Sequence, residues 1–228
     1  ALDRSITANA LTYTHVTVDI DRAKRTATFT VKAPTGAQPS DVAGIEAAGA
    51  NWYPLQMARE LEDAILQMRT NELDIGLWLI KTEGQNGEGV AGVLALDATL
   101  QAHAGHWLVR ETVGLLRRTF SRLDVSSRSL YALIESGSCF AGTLLELALA
   151  CDRSYHLALP DDEAAAPKIT VTAQNFGAYP MVTGESRLAR RFYNEAPAMD
   201  AVRAVQGQAL DADAAFALGL VTSNPDDI

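Results

Sequence analysis

The sequence is poor in cysteine, and this shortage excludes one class of protein at once. Its 228 residues include only two cysteines, too few for the disulfide framework that stabilises many small secreted proteins. Cys139 and Cys151 both lie in the apolar central part of the chain. Reduced thiols at these positions indicate a cytoplasmic protein.

Positive charge and long apolar runs are also scarce. The chain carries 19 Lys and Arg against 28 Asp and Glu, which gives a formal net charge of −9. Nucleic acids and anionic membrane surfaces attract basic proteins, so we expect neither as a partner. No apolar run reaches the roughly 18 residues of a membrane-spanning helix, so none is expected.

Motifs that mark cofactor, nucleophile and metal sites are missing too. The glycines between residues 84 and 89 do not have dinucleotide or P-loop spacing, and Ser138 does not sit in a G-x-S-x-G elbow. His103 and His106 are three residues apart, as in some metal pairs, but no third ligand of matching pattern follows. We therefore predict surface or capping histidines, no metal and no resident cofactor.

What the sequence does contain is a central strand–turn–helix unit within residues 130–159. The apolar run 130–134 predicts a buried strand, and Gly137 and Gly142 predict a tight turn that lets backbone approach a ligand. The leucines and alanines that follow predict a helix with Glu146 about one turn inside it. The start of such a helix presents unpaired N–H groups, which can bind a developing oxyanion.

Helical and strand-like segments alternate along the whole chain, which predicts an α/β fold. Two alternating β-branched runs, 16–20 and 27–31, predict a hairpin. Asn51 is predicted to cap a helix over 55–68, whereas 34–50 has the composition of a loop. Other predicted elements are strands at 75–81, 155–159, 169–172 and 220–222, a loop at 84–89, a helix at 106–123, an irregular loop at 174–183, and helices at 186–193, 198–206 and 211–218.

Three segments resemble the crotonase (enoyl-CoA hydratase/isomerase) superfamily. The run Glu146–Asp152, E-L-A-L-A-C-D, is similar to the end of that family's central helix. Residues 187–191 and 210–221 are similar to its late helices, the last of which ends in G-L-V. The resemblance implies the ClpP-like spiral of ββα units. We expect residues 1–228 to form a single crotonase-like domain that is a fragment or module of a longer polypeptide.

Further segments resemble the benzoyl-CoA-dihydrodiol lyase (2,3-epoxybenzoyl-CoA dihydrolase) family, and in particular the second of its two crotonase-like modules. They are residues 51–52, 68–73, 110–114, 123–130, 137–142 and 175–177. This resemblance implies a lyase of aerobic aromatic degradation. Its reaction opens the oxidised ring of a benzoyl-CoA derivative and yields formate and an aliphatic semialdehyde CoA thioester.

The crotonase resemblance also implies where chemistry takes place. Two backbone N–H groups of the family bind the thioester carbonyl as an oxyanion hole. They fall on Thr143, next to Gly142, and near Leu94, where the family's usual glycines and small residues are mostly replaced. Glu146 aligns with the first catalytic carboxylate. The second carboxylate falls on Ala173, which cannot exchange a proton.

Several of these residues also have ordinary structural interpretations. Without a second carboxylate, Glu146 is more typical of a helix glutamate bonded to an amide or an arginine than of a catalytic residue. Cys139 is more typical of a small buried filler than of a nucleophile. Arg187, Arg190 and Arg191 fit a solvated helix face better than a contact to a CoA phosphate.

These observations leave three hypotheses open. In the first, the chain is a supporting module that packs against a catalytic sibling module and a homodimer partner, and shapes the pocket for an acyl-CoA substrate. In the second, it is a non-catalytic module for acyl-CoA binding or dimerisation. In the third, it is a stand-alone enoyl-CoA hydratase or isomerase that uses Glu146 alone.

Overall fold

A computed structural model describes residues 2–84 and 88–227 of the chain. The strands are β1 (Ser5–Ile6), β2 (Ala10–Thr12), β3 (Val16–Asp21), β4 (Thr26–Lys32), β5 (Leu77–Glu83), β6 (Ser129–Ile134), β7 (Arg153–His156), β8 (Ile169–Thr170) and β9 (Ala209–Leu210). The α-helices are α1 (Val42–Ala48), α2 (Tyr53–Asn71), α3 (Gly89–Ala102), α4 (Trp107–Asp124), α5 (Gly142–Leu149), α6 (Arg187–Arg191), α7 (Ala196–Ala204) and α8 (Ala212–Ala217). Short 3₁₀ helices cover Gly49–Asn51 and Ala173–Phe176.

Seven strands form one sheet in chain order, from β1 to β7. The strands β1 to β4 pair antiparallel, whereas β4 to β7 pair parallel through the helical crossovers between them. The predicted hairpin is confirmed, with Val18 opposite Phe29 in the β3–β4 register. Alternate residues of β3 are buried, as expected for a strand with one face on the core.

The two long helices α2 and α4 pack together against the sheet. Each buries one stripe of residues at helical spacing, with Leu61 and Ile65 on α2 and Leu116 and Phe120 on α4. Both helices were predicted from this spacing and are confirmed. None of the described helices is both long and apolar enough to cross a membrane.

The prediction of a loop over 34–50 is wrong, because this segment contains α1. The Asp41 side chain accepts a hydrogen bond from the Gly44 N–H and so caps the helix, while Ile45 is fully buried. Asn51 does not cap α2 as predicted. It ends a 3₁₀ turn, and the N-cap is Trp52, whose side chain makes no capping bond.

Several boundaries also differ from the prediction, and the strand predicted at 155–159 spans Arg153–His156. Residues 85–87 of the predicted 84–89 loop lie outside the described residues, and α3 already begins at Gly89. The first residues of the predicted irregular loop 174–183 belong to the 3₁₀ helix Ala173–Phe176. A capping box between Thr172 and Asn175 stabilises the start of this helix. The predicted strand at 220–222 is not formed, although the next residue, Ser223, makes an isolated bridge with Tyr155.

Helix α5 lies at the centre of the molecule and is the element that positions the candidate site. All eight of its residues are buried, and it contacts α3, α6, β5, β6 and β8. The turn before it is the predicted glycine turn, with positive φ at Gly137 and Gly142. A helix buried on every side must satisfy its polar groups with partners from these neighbouring elements.

Candidate functional site

Glu146, the predicted catalytic carboxylate, is held in a buried ion-pair network. It is 1% exposed, and its Oε2 accepts a hydrogen bond from Arg187 Nη1 at 2.8 Å. Its Oε1 accepts one from Asn175 Nδ2 at 2.7 Å. Arg187 also donates to both carboxylate oxygens of Asp124. This network ties α5 to α4 and α6, so a substrate reaches Glu146 only if Arg187 or Asn175 is displaced.

Burial and the ion pair act in opposite directions on the pKa of Glu146. Burial disfavours the charged form and raises the pKa to about 7, while Arg187 and Asn175 lower it. The pKa of Asp124 is raised from its ordinary value for the same reason, against the pull of Arg187. Two carboxylates share one guanidinium, which explains why the ion pair does not offset the burial of Glu146 completely.

A second buried carboxylate, that of Asp97 on α3, sits at the start of α5. Its Oδ2 accepts from the Thr143 amide at 3.2 Å and from Thr172 Oγ1 at 2.7 Å. Its Oδ1 accepts from Thr143 Oγ1 at 2.5 Å, and Tyr179 donates to that hydroxyl oxygen at 2.8 Å. The amide that the sequence assigned to the oxyanion hole is therefore bonded to a carboxylate of the chain itself.

The approach of Asp97 to α5 depends on the missing side chain of Gly142. A Cβ at this position would overlap the Asp97 carboxylate and crowd Thr172 Oγ1, and the φ of Gly142 is +40°. Asp97 is 5% exposed, and the donors that the described residues provide to it are all neutral. Burial raises its pKa from 3.8 to about 6, although the hydrogen bonds from Thr143 and Thr172 oppose this rise.

Leu94, the other predicted donor, lies inside α3 and not in a loop. It is the sixth residue of that helix, and amides beyond the first four of a helix bond to the carbonyl four residues earlier. Gly89–Ala102 is one continuous helix, which leaves the Leu94 amide inside it. The assignment of an oxyanion hole to Thr143, Gly142 and Leu94 stays a prediction.

The position of the missing second carboxylate is occupied by a methyl group. Ala173 begins the 3₁₀ helix and, with Leu100 and Gln174, lines a cavity of about 210 Å³. The Gln174 side chain donates to the backbone carbonyl of Asp97 at 3.3 Å, so this cavity lies beside the Asp97 site. Two-carboxylate hydratases use a second carboxylate together with the first one. Ala173 has no group that could play this role beside Glu146.

The surroundings of Cys139, His103 and His106 fit structural roles and not catalysis or metal binding. Burial raises the pKa of the Cys139 thiol to about 11, which fits an unreactive filler. His103 and His106 bond to the Ser40 carbonyl and to the Glu46 carboxylate, respectively. Across residues 2–84 and 88–227, three or more His, Cys, Asp and Glu side chains nowhere gather in the way that a metal site requires.

Six residues of the site are not recognised from the sequence, namely Asp97, Asp124, Thr172, Asn175, Tyr179 and Arg187. Asp97 carried a signal, since it is the only charged residue in the small and apolar segment 89–102. Asn175 and Arg187 lie in segments that supported the resemblances, but Arg187 was interpreted as part of a solvated face. It is in fact 2% exposed.

A larger cavity, of about 450 Å³, opens where β5 and β6 end. Its walls come from the start of α3, from the turn after β6 and from residues 163–168, including Gly89, Ser136, Ser138 and Lys168. Ligands of open parallel sheets bind beyond the carboxyl ends of the strands, which is the position of this cavity.

Comparison with known proteins shows one relative over the full chain. Benzoyl-CoA-dihydrodiol lyase of Aromatoleum evansii is 53% identical over 227 residues, which cover 100% of this chain. They cover 40% of that protein, so the chain spans well under half the length of the curated relative it matches. The predicted resemblance to this lyase is confirmed. No protein-family model matches the chain.

Solved structures show the fold. An enoyl-CoA hydratase from Bacillus halodurans superposes with a TM-score of 0.60 at 17% identity, covering 94% of this chain and 74% of that one. An enoyl-CoA hydratase/carnithine racemase from Magnetospirillum magneticum gives 0.59 at 21% identity, covering 98% and 70%. The chain therefore has the crotonase fold predicted from its motifs.

Proposed function

We propose that this chain is a crotonase-fold module of an enzyme that opens the oxidised ring of a benzoyl-CoA derivative, and that it supports a catalytic sibling module without supplying acid–base groups. The identity of 53% to a benzoyl-CoA-dihydrodiol lyase supports the reaction. The coverage of 40% of that protein supports a longer polypeptide that has room for a sibling module. Within that polypeptide, we propose that this chain is the second of two crotonase-like modules.

The supporting role rests on one observation, the burial of Glu146 in its bonds to Arg187 and Asn175. A general acid or base must come within hydrogen-bond reach of the substrate. Both oxygens of this carboxylate are already bonded within the protein, and Ala173 provides no second acid. The network is suited to fixing three helices relative to one another.

The proposal includes a homodimer and a cytoplasmic location. Large apolar side chains remain well exposed on the chain alone, with Tyr193 79% and Leu73 72% exposed, and they support packing against other modules. Both cysteines are free and buried, as expected in a reducing compartment.

Kinetics of the longer polypeptide test the proposal. We expect Glu146→Gln to leave kcat within about twofold of wild type, whereas loss of an acid–base group typically costs about 10²–10⁴. Asp124→Asn is the matched control, since it weakens the same guanidinium pairing without touching the candidate acid. A loss of more than 100-fold in Glu146→Gln alone, or ring opening by the 228-residue chain alone, contradicts the supporting role.

A second candidate function is acyl-CoA binding without chemistry. The cavity of about 450 Å³ at the ends of β5 and β6 favours it through its size and through Lys168, whose cation suits an anionic ligand and shares the wall with one acid, Glu163. Calorimetry with benzoyl-CoA on the isolated chain is expected to give a Kd of roughly micromolar order, weakened by Lys168→Glu and unchanged by Lys24→Glu at an exposed turn. Absence of binding excludes this function.

A further inference from the structure

The strands in the middle of the sheet are apolar on both faces. Strand β5 contains the run L-W-L-I and β6 the run L-Y-A-L-I, whereas β3 and β4 alternate apolar residues with polar ones. Alternation is typical of strands with one face on the core, and unbroken apolar runs are typical of parallel strands that are covered on both faces. Strands β5 and β6 therefore have the composition of strands that are buried on both sides.

In the chain alone, only one of these two faces is covered. The hydrophobic core joins Trp78, Ile80 and Leu130 from one face to residues of α2, α4 and α5. On the opposite face, five apolar side chains are half-buried, and none of them packs against the core within the part of the chain that the structure describes. They form the open face of the sheet and are Leu77, Leu79, Tyr131, Leu133 and Tyr155.

The open face is continuous and contains two aromatic rings. Leu79 lies opposite Tyr131 in the strand register, and the rings of Tyr131 and Tyr155 meet edge to face with their centroids 5.9 Å apart. Lys81, on the same side of β5, is neutralised by an ion pair with Glu135. Contiguous apolar surface that is rich in tyrosine is typical of protein–protein interfaces.

One cross-strand row of this face carries opposite charges at its two ends. From β3 to β7, the residues that are register partners across the face are Asp19, Thr28, Leu79, Tyr131 and Arg153. Asp19 and Arg153 are exposed, and neither side chain bonds to another of the described residues. The row therefore has an acid at one end, a base at the other and apolar groups near its middle.

A half-turn about the middle strand of this row makes the row complementary to itself. Rotation of a second copy about an axis along β5 places its Arg153 opposite Asp19 of the first copy and its Asp19 opposite Arg153, while Leu79 of each copy lies next to the axis. An axis along the row would instead place like charges opposite each other. A regularly twisted sheet keeps its saddle shape under the rotation about β5, so two copies stack at the roughly 10 Å spacing of packed sheets.

We propose that the open face binds a second copy of this chain, face to face, about a two-fold axis along β5. The charge pattern favours this occupant, because an isologous dimer requires a surface that is its own complement. The inference rests on the homodimer of the proposed function and specifies its surface. Its outcome is separate from that of the ring-opening function, since it is measured as self-association of the 228-residue chain.

Sedimentation equilibrium of the 228-residue chain is the first test, and we expect a dimer of twice 24.4 kDa. Leu79→Asp places two carboxylates next to the axis in an apolar contact, and we expect it to raise the dimer Kd more than about 100-fold. Leu73→Asp is the matched control, since Leu73 is 72% exposed outside the open face, and it should change the Kd less than about twofold. A dimer that Leu79→Asp leaves intact overturns the proposal. A monomeric wild-type chain also overturns it, and leaves another part of the longer polypeptide as the occupant.

Two charge reversals at exposed positions test the geometry without altering the apolar residues. Asp19→Arg and Arg153→Asp each place like charges at both ends of the row, and we expect each to raise the Kd about tenfold, because the symmetry makes every substitution count twice. Mixed in equal amounts, the two variants restore both opposite-charge contacts. We therefore expect a heterodimer with about the wild-type Kd, measured by fluorescence anisotropy of one labelled variant.

Asp200→Arg and Arg117→Asp are the matched controls for the charge reversals. These residues are exposed on α7 and α4, away from the sheet, so the variants should show neither the loss of dimer nor the rescue on mixing. A mixture of Asp19→Arg and Arg153→Asp that associates no better than either variant alone overturns the proposal.

Discussion

Helix α5 contacts two buried carboxylates, one at its start and one in its middle, and they are held in opposite ways. At the start, Asp97 is bonded by hydroxyls and an amide, with no cation among its described donors. One turn further on, Glu146 is paired with the guanidinium of Arg187. Burial raises the pKa of both carboxyls, so neither set of partners offsets the loss of water completely. The difference lies in what happens when a partner is removed.

Removal of the Arg187 cation should have the largest effect on stability. Arg187→Met leaves Glu146 and Asp124 buried without their shared partner, and we expect the free energy of unfolding to fall by about 3–5 kcal/mol. Arg190→Met, at an exposed position of the same helix, is the control and should cost less than about 0.5 kcal/mol. Urea unfolding measures both, and equal losses would show that the network contributes nothing specific.

The next largest effect should be a dependence of the free energy of unfolding on pH that comes from Asp97. Its pKa of about 6 lies above the unfolded value of 3.8, so the folded chain binds more protons than the unfolded chain between these values. Stability contributed by this group is therefore present below about pH 4 and is lost as the pH rises through 6. At about 1.4 kcal/mol per pKa unit, the loss is about 3 kcal/mol.

Asp97→Asn isolates this contribution, because asparagine does not titrate. We expect the stability difference between wild type and Asp97→Asn to shrink by about that 3 kcal/mol between pH 4 and 7 in urea titrations. A difference that stays constant over this range would mean that Asp97 titrates as it does in the unfolded chain.

The close contact between the Asp97 carboxylate and Gly142 should have a smaller but still clear effect on the free energy of unfolding. Gly142→Ala places a Cβ on the Asp97 carboxylate at a positive φ, and we expect a loss of about 2–3 kcal/mol. Gly137→Ala also has a positive φ, but its Cβ meets nothing within 4 Å, so it should cost only about 1 kcal/mol. In the Asp97→Ala background the Gly142→Ala loss should decrease, which a double-mutant cycle detects.

The smallest effect should come from Tyr179→Phe. It removes the hydrogen bond to Thr143 Oγ1 and keeps the packing of the ring against Phe120. We expect a loss of about 1 kcal/mol. Tyr193→Phe, at a position that is 79% exposed, is the control and should be close to neutral. A neutral Tyr179→Phe would show that water replaces the lost hydroxyl.

The sequence predicted the framework of this fold because hydrophobic spacing and turn residues are local signals. The hairpin of β3 and β4 and the helices α2 and α4 follow from such spacing. Helix α1 was missed, since one buried residue, Ile45, and an Asp41 cap do not stand out in a segment rich in alanine and glycine.

The site was harder to predict because its bonds join distant parts of the chain. Glu146 was identified by its motif, but the partner that buries it, Arg187, lies 41 residues away. Asp97 and Thr143 are 46 residues apart. No local pattern indicates that a lone charge in the apolar helix α3 reaches the first turn of α5. Only the packing of the two helices brings these groups together.

The complete burial of α5 has a consequence for how this module unfolds. A helix with no solvent-exposed side cannot fray locally without opening the surrounding elements, since α3, α6 and the sheet all pack against it. Its interior amides should therefore exchange with deuterium only when the whole domain opens. The exchange rate of this one helix then measures the global stability of the domain, even where the module is part of a much larger assembly.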